Sequence, residues 1–145
     1  MSSFKGKYEH KISDTGRISI PSKFRDILRA KYDSDDLVFL SFKTHLRVYP
    51  YAEWKKQEEA WEQEKPTPEM NKFLRQLYSM MDECSLDKNG RIVINPDIRK
   101  YNSLEGDCVI NGFRNHMEIW SKEEWDRTNN IEDVEALLGK FADSF

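Results

Sequence analysis

The chain has 145 residues and a mass of 17.3 kDa, so it can form one domain, or two very small ones folded together. Its composition, with 38% hydrophobic and 34% charged residues, excludes collagen-like and disordered proteins. No apolar run approaches the roughly 20 residues of a membrane span, the N-terminus lacks a signal peptide, and two cysteines are too few for a disulfide framework, so we expect a cytoplasmic protein outside the membrane. The net charge of −3, taken alone, argues against nucleic-acid binding, because nucleic-acid-binding proteins usually carry a basic surface.

The first part of the chain predicts alternating strands and short helices. In chain order we expect a turn at residues 14–16, a strand at 17–20, a helix from Pro21, strands at 37–42 and 45–49, and a helix from about Tyr51. Gly16 suits the turn because glycine accepts backbone angles that other residues resist, and Pro21 fits the first turn of a helix. This helix has an apolar stripe formed by Phe24, Ile27 and Leu28.

A linker and an amphipathic helix follow. The linker is the Pro-containing stretch 65–68, which divides the chain near its middle. The residues after it place apolar side chains on one face of a helix, namely Met70, Phe73, Leu74, Leu77 and Met81. We therefore predict a linking helix.

The second half repeats the first. At a spacing of 74, five of fourteen positions in 12–25 and 86–99 are identical, including the pairs Gly16/Gly90, Arg17/Arg91 and Arg25/Arg99. After a three-residue shortening, six of nineteen positions in 36–54 and 107–125 are identical, including His45/His116 and Trp54/Trp125. We interpret this as an internal duplication. It predicts strands at 91–94, 108–111 and 116–120, with helices from Pro96 and from about Lys122.

The repeat divides the chain into four predicted segments. These are a first repeat over residues 5–64, a linking helix over 65–81, a second repeat over 82–128 and a C-terminal helix over 129–145. The last helix has apolar residues at helical spacing, which suits either core packing or a subunit interface: Val134, Leu137, Leu138, Phe141 and Phe145.

The charge is unevenly distributed along the chain. Residues 1–31 carry a local charge of +5, residues 87–100 carry +2, and residues 118–145 carry −5. Such asymmetry fits a polyanionic partner, complementary faces of neighbouring subunits, or chance clustering on a solvated surface.

An arginine directly follows the turn in each copy, Arg17 in the first and Arg91 in the second. Its guanidinium group is a planar fork of donors that can bind a phosphate, or the O6 and N7 atoms of guanine, through two hydrogen bonds. The alternative role is a local salt bridge with Asp14 or Asp87 of the same turn. The residue pattern leaves both roles open.

Signatures of catalysis and of cofactor binding are absent from the sequence. His10, His45 and His116 lie outside any recognisable nucleophile–histidine signature, and the duplication accounts for the equivalent positions of the last two. Zinc motifs, a P-loop and a GxGxxG loop are missing, and we expect Cys84 and Cys108 to be buried in strands. We therefore predict no enzyme activity, no catalytic or metal-binding residue and no cofactor.

Two stretches carry a family resemblance. The first is Phe4-Lys5-Gly6-Lys7-Tyr8-Glu9-His10 leading into residues 16–25, and the second is Leu86-Asp87-Lys88-Asn89-Gly90-Arg91-Ile92-Val93-Ile94. Together they strongly resemble MraZ, a family of bacterial transcriptional regulators encoded at the start of the division and cell-wall gene cluster. The likeness covers nearly the whole chain, including Tyr49-Pro50 and Glu118-Ile119-Trp120.

The resemblance implies an α+β fold of two tandem swapped-hairpin domains like those of AbrB (the SpoVT-AbrB domain), with interleaved hairpins in a small β-barrel and peripheral helices. It also implies a homo-oligomeric ring of about eight or more subunits. The expected partner is double-stranded DNA with short G-rich direct repeats upstream of the protein's own operon, which places the protein on the nucleoid.

The family signature is Asp-x-x-x-Arg in each half, and the second copy meets it with Asp87 and Arg91. In the first copy Ser13 occupies the aspartate position and Thr15 replaces a commonly basic residue, while Arg17 is retained. The resemblance assigns DNA contact in this order: Arg17 and Arg91, then Lys88, then Arg25 and Lys23 as phosphate-side helpers.

Two other classes of protein remain as alternatives. One is a protein-interaction module that has lost DNA binding and recruits a partner through its acidic C-terminal helices. The other is a small barrel enzyme, which would need a catalytic constellation around His45 or His116.

Overall fold

The computed structural model describes residues 3–145, which form eight strands and six α-helices, together with a π-helical turn at Leu28–Tyr32 and a 3-10 turn at Ala142–Ser144. The strands are β1 (Lys7–Ile12), β2 (Arg17–Ser19), β3 (Asp36–Ser41), β4 (Leu46–Pro50), β5 (Asp82–Ser85), β6 (Arg91–Val93), β7 (Gly106–Phe113) and β8 (His116–Ser121). The helices are α1 (Ser22–Ile27), α2 (Tyr51–Glu62), α3 (Pro68–Ser79), α4 (Pro96–Tyr101), α5 (Lys122–Thr128) and α6 (Ile131–Phe141). The fold is therefore of the expected mixed α+β class.

The strands form two antiparallel sheets whose pairing exchanges elements between the two halves. One sheet has the order β1-β7-β8-β4-β3-β5, and the other pairs β2 with β6. β1 and β5, the first strands of each half, pair with β7 and β3, the third strands of the opposite halves. β4 and β8 pair with each other at the centre. Every pairing thus has a counterpart when the halves are exchanged, which gives the fold an approximate twofold symmetry.

The expected closed barrel is not found among residues 3–145. The edge strands β1 and β5 each have one hydrogen-bonded neighbour, so the six-stranded sheet is open. β2 and β6 are only three residues long and pair with each other, so they do not join the two edges of the larger sheet. The barrel expectation is accordingly corrected to an open sheet with a separate two-stranded ribbon.

The main core lies between the ribbon and the large sheet. Both halves contribute fully buried side chains to it, including Ile18, Ile92, Phe24 and Ile98. A second cluster lies where α2 and α3 cover the other face of β3, and it contains Val38, Leu40, Trp54 and Leu77. Because β3 is buried on both faces, it is apolar at every central position.

The C-terminal helix α6 makes no contribution to the core. None of its residues is buried, and its apolar side chains remain exposed: Ile131, Val134, Leu137, Leu138 and Phe141. Of the two roles that the sequence left open for this stripe, core packing is therefore wrong. Within residues 3–145, no helix combines the length and the hydropathy that a membrane crossing requires.

Candidate nucleic-acid interface

The β2–β6 ribbon places the two turn-borne arginines on one surface. In its register Arg17 lies opposite Val93, and Arg91 lies opposite Ser19. The central pair, Ile18 and Ile92, is fully buried against the core. Because side chains alternate along a strand, the other four share the outer face. The α-carbons of the two arginines are diagonal neighbours, about 7–8 Å apart by ordinary sheet geometry.

Each turn is tied to the strand of the opposite half. The amide of Ile94 donates to the carbonyl of Gly16 at 2.9 Å, and the amide of Ile20 donates to the carbonyl of Gly90 at 2.9 Å. These bonds extend the ribbon beyond its three-residue strands. The two halves therefore hold each other's turns in place.

In the second turn, the carboxylate of Asp87 organises the backbone and the arginine together. Its Oδ1 accepts hydrogen bonds from the amides of Asn89 at 2.8 Å and Arg91 at 2.9 Å, and its Oδ2 accepts one from Nε of Arg91 at 3.1 Å. The backbone bond from Arg91 is the main reason that the pKa of Asp87 lies below its ordinary value.

The salt bridge that the sequence left open therefore exists for Arg91, but it uses only Nε. Within residues 3–145, neither terminal NH2 group of this guanidinium has a hydrogen-bond partner. A ligand can still receive two hydrogen bonds from it.

In the first turn, two hydroxyl groups replace the aspartate. Oγ of Ser13 accepts a hydrogen bond from the amide of Arg17 at 3.1 Å and lies 3.1 Å from Oγ1 of Thr15. Oγ1 of Thr15 in turn accepts a bond from Nη1 of Arg17 at 2.9 Å. In the described part of the chain Asp14 forms no ion pair with Arg17, so the salt-bridge alternative is wrong for this arginine.

The other predicted contact residues lie in different settings. Lys88 is exposed in the second turn, and Lys23 is exposed in the first turn of α1. Arg25 is half-buried, and its Nε donates to the carbonyl of Ile20 at 3.1 Å. Its side chain lies against Gly90, where an added Cβ would come within 2.6 Å of Cδ of Arg25. Arg25 therefore supports the opposite turn in addition to any contact with a ligand.

Arg99 is the residue that the sequence reasoning missed. It is the repeat equivalent of Arg25, and its Nε donates to the carbonyl of Ile94 at 2.9 Å. Its Nη1 also donates to the carbonyl of Asp14 at 3.1 Å, in the turn of the first half. The identity of positions 25 and 99 in the repeat was the available signal.

The two equivalent histidines lie away from the ribbon, where β4 meets β8. His45 stacks on Trp120 with ring centres 4.5 Å apart, and His116 stacks on Tyr49 at 4.6 Å. Nε2 of His45 lies 3.2 Å from Oε2 of the buried Glu118. Both histidines, Trp120 and Glu118 are buried, Tyr49 is half-buried, and the rings pack against one another, so packing accounts for the histidines. Among residues 3–145, no group of three or more His, Cys, Asp and Glu side chains is placed to hold a metal ion.

Buried His116 predicts a loss of stability in mild acid. Burial, and then the nearby charge of Arg47, lower the pKa of His116 to about 4. The unfolded chain binds this proton at the ordinary pKa of about 6.5, so the free energy of unfolding should fall between about pH 6.5 and pH 4, by up to roughly 3 kcal/mol.

Urea denaturation of the wild type and of His116→Gln at a series of pH values measures this contribution. Glutamine does not titrate, so the variant should lose less stability than the wild type over this range. The control is His10→Gln, which removes a less buried histidine in β1. If wild type and His116→Gln lose equal amounts, His116 is not the group responsible.

Comparison with known proteins identifies similar sequences. The family model of the MraZ protein matches the chain twice, over residues 3–76 and 77–133. The transcriptional regulator MraZ of Pediococcus pentosaceus is 37% identical over 142 residues, which cover 97% of this chain and 95% of the relative. The protein of the same name from Desulforapulum autotrophicum is 39% identical over 91% of this chain and 89% of its own. The protein of that name from Syntrophobacter fumaroxidans is 38% identical over 85% of this chain and 82% of its own length.

Proposed function

The chain belongs to the MraZ family, and from this premise we propose that it is a sequence-specific DNA-binding regulator of transcription. Its relatives are named as transcriptional regulators, so the family is one of regulators and not of enzymes. We further propose that it controls its own division and cell-wall gene cluster, and that it acts in the cytoplasm on the nucleoid.

One observation carries the proposal for DNA contact: the ribbon presents Arg17 and Arg91 at diagonal positions on one outer face. A two-stranded ribbon is narrow enough to enter the major groove of B-DNA. There an arginine fork matches O6 and N7 of guanine, and a nearby Lys88 can neutralise a phosphate. We assign Lys23 and Arg25 to the phosphate side of the same interface.

Self-assembly would multiply these contacts. We propose a ring of about eight subunits that engages short direct repeats in the DNA, because linked sites gain roughly 10²–10⁴ in affinity without new contacts. The exposed apolar stripe of α6 supports assembly, since an uncovered stripe of this kind favours association. We keep the proposed division into repeats 5–64 and 82–128, and the cross-pairing of β2 with β6 supports swapped hairpins.

The net charge of −3 is compatible with this function, because the acidic residues are concentrated on other elements. The first turns of α5 and α6 each contain two acidic residues, whereas the ribbon itself contains two arginines and no acidic residue. The potential at the ribbon, not the total charge, governs the encounter with DNA.

The test is fluorescence anisotropy of the purified protein on labelled DNA from upstream of its own gene, with scrambled DNA as the control. We expect tighter binding to the upstream DNA, and the logarithm of affinity should fall linearly with the logarithm of salt concentration. Equal weak binding to both duplexes, or none, would contradict the proposal. It would favour the protein-interaction module, which capture of a protein partner in the absence of nucleic acid would support.

A further inference from the structure

The outer face of the ribbon is symmetric in its arginines but not in the residues beside them. Exchange of the two halves maps Arg17 onto Arg91, and it maps Ser19 onto Val93. The register sets Arg17 directly opposite Val93 and Arg91 directly opposite Ser19. One end of the ribbon therefore pairs its arginine with a valine, and the other end pairs its arginine with a serine. We call these the valine end and the serine end.

Val93 is an uncovered apolar side chain on the outer face of the ribbon, at its valine end. It is 47% exposed, although its neighbour Ile92 is fully buried. Directly opposite residues in an antiparallel pair have Cβ atoms about 4.5–5.5 Å apart. The methyl groups of Val93 therefore lie on the same face of the ribbon, beside the point from which Arg17 extends toward a ligand.

The turns beside the two ends also differ, in the charged residues that they carry. The serine end is next to Lys88 and to Asp87, whose carboxylate is bonded to Arg91, whereas the equivalent positions beside the valine end are Asp14 and Ser13. A lysine gains affinity from phosphate regardless of sequence, whereas an aspartate repels phosphate. The valine end therefore lacks the phosphate contact that Lys88 offers at the serine end.

We propose that Val93 and Ser19 give the two ends different base preferences. Val93 contacts the 5-methyl group of a thymine next to the base bound by Arg17, because apolar side chains pack against this methyl group in the major groove. Ser19 can donate or accept a hydrogen bond, so it tolerates different bases next to the one bound by Arg91. This inference rests on the proposed DNA-binding function.

A selection experiment tests the preference. Wild type, Val93→Ser and Ser19→Val are each used to select binding sites from a random duplex library. The wild type should select a site with a thymine beside one of the two arginine-contacted bases. Val93→Ser should lose the preference for that thymine, and Ser19→Val should acquire a second one.

Uracil substitution supplies a test that needs no protein variant. Deoxyuridine in place of that thymine removes only the methyl group, which should weaken wild-type binding about 4-fold, as expected for one buried methyl group. The same substitution should not change binding by Val93→Ser. Deoxyuridine at a thymine outside the selected site is the control.

The outcomes separate this inference from the proposed function. If the wild type selects a site, but both variants select the same site and uracil has no effect, the roles of Val93 and Ser19 are overturned while DNA recognition stands. If the wild type selects no site, the proposed function is overturned, and this inference with it.

Discussion

Replacing either turn-borne arginine by alanine is expected to weaken binding to the upstream DNA by about 10–100-fold, because each bidentate contact with a base contributes about 1–3 kcal/mol of discrimination. Arg17→Ala and Arg91→Ala remove guanidinium groups from opposite ends of the ribbon. The double variant should retain only non-specific binding, since both base contacts are lost. Fluorescence anisotropy against upstream and scrambled DNA measures all three affinities.

Two kinds of control separate recognition from charge and from folding. Arg29→Ala removes one positive charge from an exposed position after α1, and it should change affinity far less. Arg17→Lys and Arg91→Lys keep the charge but lose the planar fork, so they should bind nearly as weakly as the alanine variants. Circular dichroism and oligomer size should be unchanged in each variant.

This experiment tests the role of each arginine separately. If a variant binds the upstream DNA with wild-type affinity, the arginine that it lacks has no role in recognition. Loss of folding in Arg91→Ala would instead assign the residue to its salt bridge with Asp87. Arg17 has no carboxylate partner within the described residues, so its removal should leave folding intact.

Local patterns in the sequence predicted much of the fold. The periodicity located β2, β3, β4, β6, β7 and β8 within two residues of their bounds, and the starts of α1, α2, α4 and α5 were predicted within one residue. It did not predict β1. The inward-facing residues Tyr8 and His10 of this strand are amphipathic and partly exposed, so the strand lacks a clear alternation of apolar and polar residues. The alternation in β2 and β6 is clear because Ile18 and Ile92 are strongly apolar and fully buried.

The pairing between the halves could not be read from periodicity, which reports only local structure. β1 pairs with β7, nearly a hundred residues away, and this long-range contact depends on the packing of the complete core. The same limit applies to the candidate site. The repeat located Arg17 and Arg91, but only the fold shows that a cross-strand register brings them onto one face.

The first turn shows how the absence of an aspartate is compensated, since Ser13 stands where the second turn has Asp87. The missing carboxylate is replaced by the hydroxyls of Ser13 and Thr15, which bond the amide and the side chain of Arg17. Ser13 and Thr15 thus act together in the first turn, where Asp87 acts alone in the second. Neither position alone predicts this arrangement, because Ser13 binds the amide of Arg17 and Thr15 binds its guanidinium group.

The two turn glycines, although equivalent in the repeat, should differ in their tolerance of alanine. Gly16 has φ of +83° and Gly90 has φ of +75°, so alanine at either position adopts a left-handed conformation that costs about 1 kcal/mol or more. At Gly16 the new Cβ would lie 2.5 Å from the backbone carbonyl oxygen of Ile94. At Gly90 it would meet the side chain of Arg25 at 2.6 Å.

A backbone carbonyl in a paired ribbon cannot move without disturbing the strand, whereas an arginine side chain can adopt another rotamer. We therefore expect Gly16→Ala to lower the free energy of unfolding by about 3–4 kcal/mol and Gly90→Ala by about 1–2 kcal/mol, measured by urea denaturation. Gly139→Ala is the matched control. Its Cβ meets no atom within 4 Å, so on α6 it should be neutral or stabilise slightly.

A second variant tests why the two positions differ. If Arg25 is the obstacle at Gly90, Arg25→Ala combined with Gly90→Ala should lose less stability than the sum of the single variants, because the clash disappears with the side chain. Arg25→Ala should give no such relief to Gly16→Ala, whose obstacle is the carbonyl of Ile94. Equal losses for Gly16→Ala and Gly90→Ala would contradict this account. They would mean that the left-handed backbone alone sets the cost at both glycines.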